Sequence, residues 1–200
     1  MRDLLVAEEL QRADRYRFAR DREHFIVRRG VLRLLLGRYL SCDPRQLSLL
    51  ERPGGKPEVA GLPSPGAVRF NVSRSDGLVV YAFALDRDVG VDVERVRASV
   101  AADSVAETFF APDEVVALRV LPVSLQPAVF FGAWTRKEAY VKATGVGLAQ
   151  ALDGVRADGS HDELGHWTVR TLHPAPGYVA ALVVEGRDWT LERYEIDGLD

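Results

Sequence analysis

Apolar residues recur along this chain in two rhythms, one helical and one alternating. Over residues about 18–41, "FARDREHFIVRRGVLRLLLGRYLS", the residues Phe25, Val27, Val31, Leu34, Leu35 and Leu40 return near the 3.6-residue period. That spacing predicts a long amphipathic helix, preceded by a short opening one. "CDPRQ" stops it, and a strand-like "LSLLE" leads into the turn signal "RPGGKP". Residues 60–67 read as a Pro/Gly/Ser loop. "VRFNV", "LVVYAFAL" and "VGVDVE" then predict three strands, the first ending at a turn "SRSDG". The helical period returns near 99–109, 112–120 and 126–143, the last closed by "GVG" as a C-cap signal. Further strands are expected near 166–172, 178–184 and 189–196. "GLVVYAFAL" and "GYVAALVVE" echo each other, each a glycine before an apolar strand that closes a run of helix and antiparallel strands. The echo predicts two related α+β lobes, residues 1–88 and 89–200.

Composition narrows the class. Two hundred residues with 47% hydrophobic content and a mean hydropathy of -0.07 describe an ordinary globular chain with ample material for a core. The single Cys42 excludes an internal disulfide framework and a cysteine-based zinc site, and it fits a reducing cytoplasm. The start, "MRDLLVAEEL", is acidic where a signal peptide would be basic, and no apolar run approaches membrane-spanning length. The expected location is the cytoplasm. The four histidines, His161 and His166 among them, show no metal-ligand spacing.

Charge is unevenly placed. Residues 1–88 hold 16 Lys/Arg against 12 Asp/Glu, and residues 89–200 hold 10 against 17. A basic half suits a polyanion and an acidic half suits a metal ion. Nucleic acid is disfavoured, because basic residues are not interleaved with aromatics and the pI is near 5.9. Only three of the 26 basic residues are lysine, namely Lys56, Lys137 and Lys142. In so arginine-rich a chain, a lysine that remains suggests a need for a compact ammonium on a flexible stem.

Two of those lysines flank a candidate site. In "GVDVE", period-two alternation sends Asp92 and Glu94 to one face of a strand and Val91 and Val93 into the core. Paired carboxylates repel unless a cation lies between them, and hard oxygen ligands specify Mg²⁺ or Mn²⁺. A bare D-x-E, taken alone, is more often a solvated strand face. In "WTRKEAYVK", Trp134, Glu138 and Lys142 fall at i, i+4 and i+8 on one helical stripe. Glu138 and Lys142 could be a surface pair, or Glu138 could complete the carboxylate site with Lys142 an ammonium one turn away. The second arrangement is suited to phosphoryl chemistry. Arg17, Arg20, Arg33, the "GGKP" turn with Lys56, and Ser73 and Arg74 in "NVSRS" supply further groups that attract anions.

Together "GGKPEV", "FNVSRSDG", "GVDVE" and "WTRKEAYVKATGVGL", in that order and spacing, resemble the 4′-phosphopantetheinyl transferases of the two-lobed, surfactin-synthetase-activating type. The resemblance spans residues about 55–148 and implies an α+β fold of two pseudo-twofold-related lobes, each an antiparallel sheet packed on helices. It implies transfer of the 4′-phosphopantetheine arm of coenzyme A to a serine of an apo acyl or peptidyl carrier protein, releasing adenosine 3′,5′-bisphosphate. By position it implies Asp92, Glu94 and Glu138 as magnesium ligands, with Mn²⁺ also possible, and Glu138 as base. Lys142 would contact the pyrophosphate, and Arg17, Arg20 and Arg33 would surround the 3′-phosphate. Lys56 and Pro57 would lie beside the adenine nucleotide, and Ser73 and Arg74 would contact phosphate. Trp134 would hold the helix in place, and Lys137 receives no role.

One residue departs from the pattern. Where the family turn has histidine this chain has Arg74, which keeps the charge and loses titration near neutral pH. The shorter trimeric holo-carrier synthases carry their metal motif at the chain start. Here it lies mid-chain, so a monomer without membrane or nucleic-acid partners is expected. Rival readings are a non-catalytic CoA- or carrier-binding module with a degenerate site, and a Mg-dependent phosphohydrolase. "FFAPDEVVALRVLPVSLQPAVFF" is expected to be mostly core, with part exposed to dock the carrier. Fatty-acid, polyketide, nonribosomal-peptide and aminoadipate-pathway carriers all remain open.

Overall fold

A computed structural model describes residues 1–51, 55–62, 65–98, 102–145 and 166–196. Val146, Gly147 and His161, with parts of the "RPGGKP" turn and of the loop over 60–67, lie outside the described residues. The chain is α+β, as expected. Helices α1 (Ala7–Asp14) and α2 (Ala19–Leu40) precede two antiparallel pairs, β1 (Leu49–Glu51) with β2 (Pro57–Val59), and β3 (Val68–Ser75) with β4 (Leu78–Leu85). Strand β5 (Val89–Arg95) leads to α3 (Ala102–Phe109), α4 (Pro112–Arg119) and α5 (Gln126–Thr144). Strands β6 (Trp167–Leu172) and β7 (Tyr178–Glu185) complete an antiparallel sheet of order β5-β7-β6.

Local chemistry accounts for most of these boundaries. Proline opens α4 and sits in the first turn of α5, where its missing N–H is harmless. Gly145, at φ 72°, closes α5 in the left-handed conformation that caps helices. The turn between β3 and β4 is shorter than expected. Only Asp76 (φ 47°) and Gly77 (φ 88°) take positive φ, the pattern of a two-residue hairpin loop. "SRS" is therefore strand rather than turn, and Ser73, Arg74 and Ser75 alternate across β3.

The stripe on α2 also differs from the expected one. Leu32 and Leu36 are its buried centre, packed with Leu47, Val59, Val68 and Phe70, whereas Phe25 and Ile26 face α1. Val27 is exposed. The helix is covered on two sides, which a single-stripe pattern cannot express. The strand expected at 189–196 does not form. Trp189 and Leu191 pack onto the core between β4 and β5 as irregular chain, and Arg170 lies over the Trp189 ring.

Helix α5 has two halves. Phe130, Phe131 and Ala133 pack with Phe110, Val115 and Leu118 from the α3–α4 region, and Trp134 meets Phe109 edge-on and stacks with Phe130. Downstream, the small residues Ala139 and Ala143 lie on the central sheet with Ala181 and Val183. Contact there is so close that a Cβ built on Gly90 would stand 2.1 Å from the Ala139 carbonyl oxygen and 2.4 Å from the Ala143 nitrogen. Only glycine allows α5 to rest on β5 at this depth. No described helix is long and apolar enough to cross a membrane.

Candidate active site

Strands β3 and β5 lie side by side, yet they belong to different sheets. Side chains replace the backbone ladder between them. Asn71 Oδ1 accepts from the Val91 N–H at 3.0 Å, Ser73 Oγ from Val93 at 3.3 Å, and Ser75 Oγ from Arg95 at 3.1 Å. The period-two spacing of Asn71, Ser73 and Ser75 matches that of β5, so every second residue bridges the seam. The hydroxyls then reach the intervening carboxylates: Ser73 donates to Asp92 Oδ1 at 2.7 Å and Ser75 to Glu94 Oε2 at 2.7 Å.

Asp92 and Glu94 share one face of β5, and Val91 and Val93 fill the core, as the alternation predicts. Helix α5 brings Glu138 and Lys142 to the same face. Lys142 Nζ donates to Asp92 Oδ1 at 2.6 Å and to Ser73 Oγ at 3.1 Å. Burial pushes the Glu138 carboxyl above its ordinary value, and the charges of Asp92 and Glu94 push the same way against Lys142. Burial raises Glu94 as well. The Ser75 hydrogen bond opposes this, the Asp92 charge adds to it, and Lys142 and Arg97 oppose it. A cavity of about 240 Å³ opens beside Glu94, lined by Arg95, Arg97, Val105, Phe130, Phe131 and Trp134.

These residues fit a divalent cation by their chemistry. Asp92 Oδ2 is fully buried and has no hydrogen-bond partner among the described residues, a costly state for a carboxylate oxygen. Three carboxylates within electrostatic reach of each other favour an added positive charge. They are neighbours rather than a finished cage: no three of the described His, Cys, Asp or Glu side chains converge on one point.

The remaining sequence candidates fall into two groups. Arg17 and Arg20 are exposed near the start of α2, Arg17 lying over the Phe18 ring. Arg74 is exposed on β3. Burial, then the Arg74 charge, lowers the Arg28 guanidinium from its ordinary value, so two cations stand in mutual reach. Arg28 escaped the sequence reading because it lies among many arginines on one helix.

Arg33, expected beside the 3′-phosphate, lies inside the protein. It is 1% exposed and makes four hydrogen bonds, to both Glu9 oxygens and to the Pro44 and Leu47 carbonyls. Its guanidinium holds α1 and the chain after α2 to the helix. Lys56 is also internal. Its ammonium donates to Asp88 Oδ1 at 2.9 Å and to the Ala143 carbonyl at 2.8 Å, joining the start of β2 to β5 and the last turn of α5. Pro57 opens β2 opposite Glu51. Lys137 now has a place: it is 1% exposed, 3.0 Å from Glu114 Oε2 and over the Phe110 ring, and it binds α5 to α4.

Comparison with known proteins agrees with the motifs. A family model described as the 4′-phosphopantetheinyl transferase superfamily matches residues 88–193. The chain is 36% identical over 191 residues to 4′-phosphopantetheinyl transferase HetI of Nostoc sp. (strain PCC 7120), covering 92% of this chain and 80% of that protein. It is 34% identical over 170 residues to 4′-phosphopantetheinyl transferase psf-1 of Bacillus pumilus, covering 84% and 70%. Against 4′-phosphopantetheinyl transferase Sfp of Bacillus subtilis (strain 168) identity is 24% over 201 residues, covering 94% and 87%. The chain belongs to the 4′-phosphopantetheinyl transferase superfamily. It is a transferase of the class its motifs implied.

Proposed function

We propose that this chain moves the 4′-phosphopantetheine arm of coenzyme A onto the serine of an apo acyl or peptidyl carrier protein in the cytoplasm, acting as a monomer. The observation that carries the reading is the buried, unpartnered Asp92 Oδ2 on the strand face that also holds Glu94, Glu138 and Lys142. Asp92, Glu94 and Glu138 would hold Mg²⁺ or Mn²⁺, and the bound ion would offset charge on the CoA diphosphate.

The chain's own groups do the rest. Glu138, whose burial and acidic neighbours raise its proton affinity, takes the proton of the carrier serine directly or through water. The serine oxygen attacks the β-phosphorus, the bond to the bridging oxygen breaks, and adenosine 3′,5′-bisphosphate leaves. Lys142 is within reach of the carboxylates and moves to the diphosphate, where an ammonium stabilises the charge that develops. Arg74 with Arg28 forms a paired cation site for phosphate, and Arg17 and Arg20 extend the positive field. Burial and internal bonding make Lys56 a support for α5 rather than a nucleotide contact.

The apolar stretch after β5 divides as the carrier reading needs. Phe110, Val115, Leu118, Phe130 and Phe131 are core, while Val116, Val120, Val123, Leu125 and Val129 are exposed across α4 and the start of α5. That exposed surface would dock the carrier beside the cavity at Glu94.

Intact-protein mass spectrometry tests the reaction. Several apo carriers are incubated with the chain, CoA and Mg²⁺. The expected result is one added phosphopantetheine that is absent with EDTA. No gain on any carrier, with CoA still bound, would overturn the transferase assignment in favour of a binding module.

A further inference from the structure

We infer that Ser73 and Ser75 are positioning residues, which orient Asp92 and Glu94 for the cation across the β3–β5 seam, and that neither hydroxyl is free to donate to substrate phosphate. The inference rests on the metal reading of Asp92 and Glu94.

A serine hydroxyl has one hydrogen to donate and two lone pairs to accept with. Three groups surround Ser73 Oγ, and two of them can only donate: the Lys142 ammonium at 3.1 Å and the Val93 N–H at 3.3 Å. Both lone pairs are thereby committed, and the single hydrogen goes to Asp92 Oδ1 at 2.7 Å. Ser75 repeats the arrangement one alternation on, accepting from the Arg95 N–H at 3.1 Å and donating to Glu94 Oε2 at 2.7 Å.

S-x-S on β3 is therefore the mate of D-x-E on β5. Each serine fixes one oxygen of its carboxylate and leaves the other unbonded to the serine. At Asp92 that second oxygen is the buried one without a partner. Fixing one carboxylate oxygen by an outer hydrogen bond is how second neighbours of a metal raise its affinity. The anchoring N–H groups belong to the metal strand itself, so the hydroxyls move with the carboxylates they orient.

The test is Mn²⁺ binding to the full chain without CoA, followed by water-proton relaxation. Ser73→Ala and Ser75→Ala should each weaken Mn²⁺ by about tenfold or more. Ser75→Thr, which keeps the hydroxyl, should stay near wild type, and Ser75→Val, of the same shape without it, should repeat the alanine loss. A Thr and Val pair that bind Mn²⁺ alike overturns the inference. So does a fall in Tm with Mn²⁺ affinity unmoved, the signature of a purely structural seam. Weaker CoA binding in EDTA with Mn²⁺ affinity unmoved would make the serines phosphate contacts and overturn it as well. Asp92→Asn separates the two levels. If it binds Mn²⁺ as well as wild type, or wild type takes up none, the metal reading fails and the inference fails with it.

Discussion

Two buried charge clusters sit in this protein under opposite terms. Around Arg33, every charge is answered. Glu9 receives both Arg29 and Arg33, and although burial alone would raise its carboxyl, those hydrogen bonds and charges hold it below its ordinary value. Around Asp92 acid is in surplus. One ammonium faces three carboxylates, an oxygen is left without a partner, and Glu94 and Glu138 are pushed upward. Burial is common to both, so burial does not mark function. What sets the Asp92 cluster apart is its deficit of positive charge, which would favour an added cation.

The sharpest way to break that contrast is to delete an acid from the surplus. Asp92→Ala and Glu138→Ala should lower transfer by about 10³-fold and Lys142→Ala by about 10²-fold, read as holo-carrier formed per minute at saturating Mg²⁺. Near-normal rates for Asp92→Ala would place the metal elsewhere. Deleting one partner from the satisfied cluster should act on folding instead. Glu9→Ala should cost about 3–5 kcal/mol in denaturant unfolding, because the buried Arg33 guanidinium loses its carboxylate, while CoA affinity of the folded fraction is unchanged.

A subtler difference appears with pH. The raised Glu94 and Glu138 keep protons in the folded chain that the unfolded chain has released, between the ordinary value of 4.5 and their raised values. Stability of the metal-free protein therefore falls as pH rises through that window. Glu138→Gln should melt higher than wild type at pH 8 in EDTA, with the gap closing toward pH 4. Mg²⁺ should raise the wild-type Tm more at pH 8 than at pH 5, since the metal needs the ionised carboxylates. Glu138→Gln melting at the wild-type temperature at pH 8 would show that ionised Glu138 does not destabilise the fold. The smallest effect is expected farther out. Val120→Glu with Val123→Glu should raise the KM for carrier several-fold and leave CoA binding alone, as measured by steady-state kinetics with each substrate varied.

Sequence carried the site's carboxylates well because a strand's period of two is rigid. Asp92 and Glu94 had to share a face, and Val91 and Val93 had to share the other. Positions one helical turn apart brought Glu138 and Lys142 together on the same logic. The class of transferase was also legible, from four motifs in order. Which arginine or lysine is open was not legible. Arg33 and Lys56 carry charges as Arg74 does, and only tertiary packing shows that the first two are used up inside. The serine motif was misplaced for a related reason. A turn signal at "SRSDG" does not reveal that Asp76 and Gly77 alone can make the bend, and so "SRS" was free to run on as strand.

Gly90 carries a consequence for anyone who would re-engineer this enzyme. At position 90 the spacing between β5 and the last turns of α5 is set by backbone resting on backbone, the glycine itself adding no side chain. A spacer made of nothing cannot be trimmed or swapped for a near equivalent. Under the proposed docking surface, a changed carrier range would come from α4 and the start of α5, because even one methyl group at position 90 would push β5 and α5 apart.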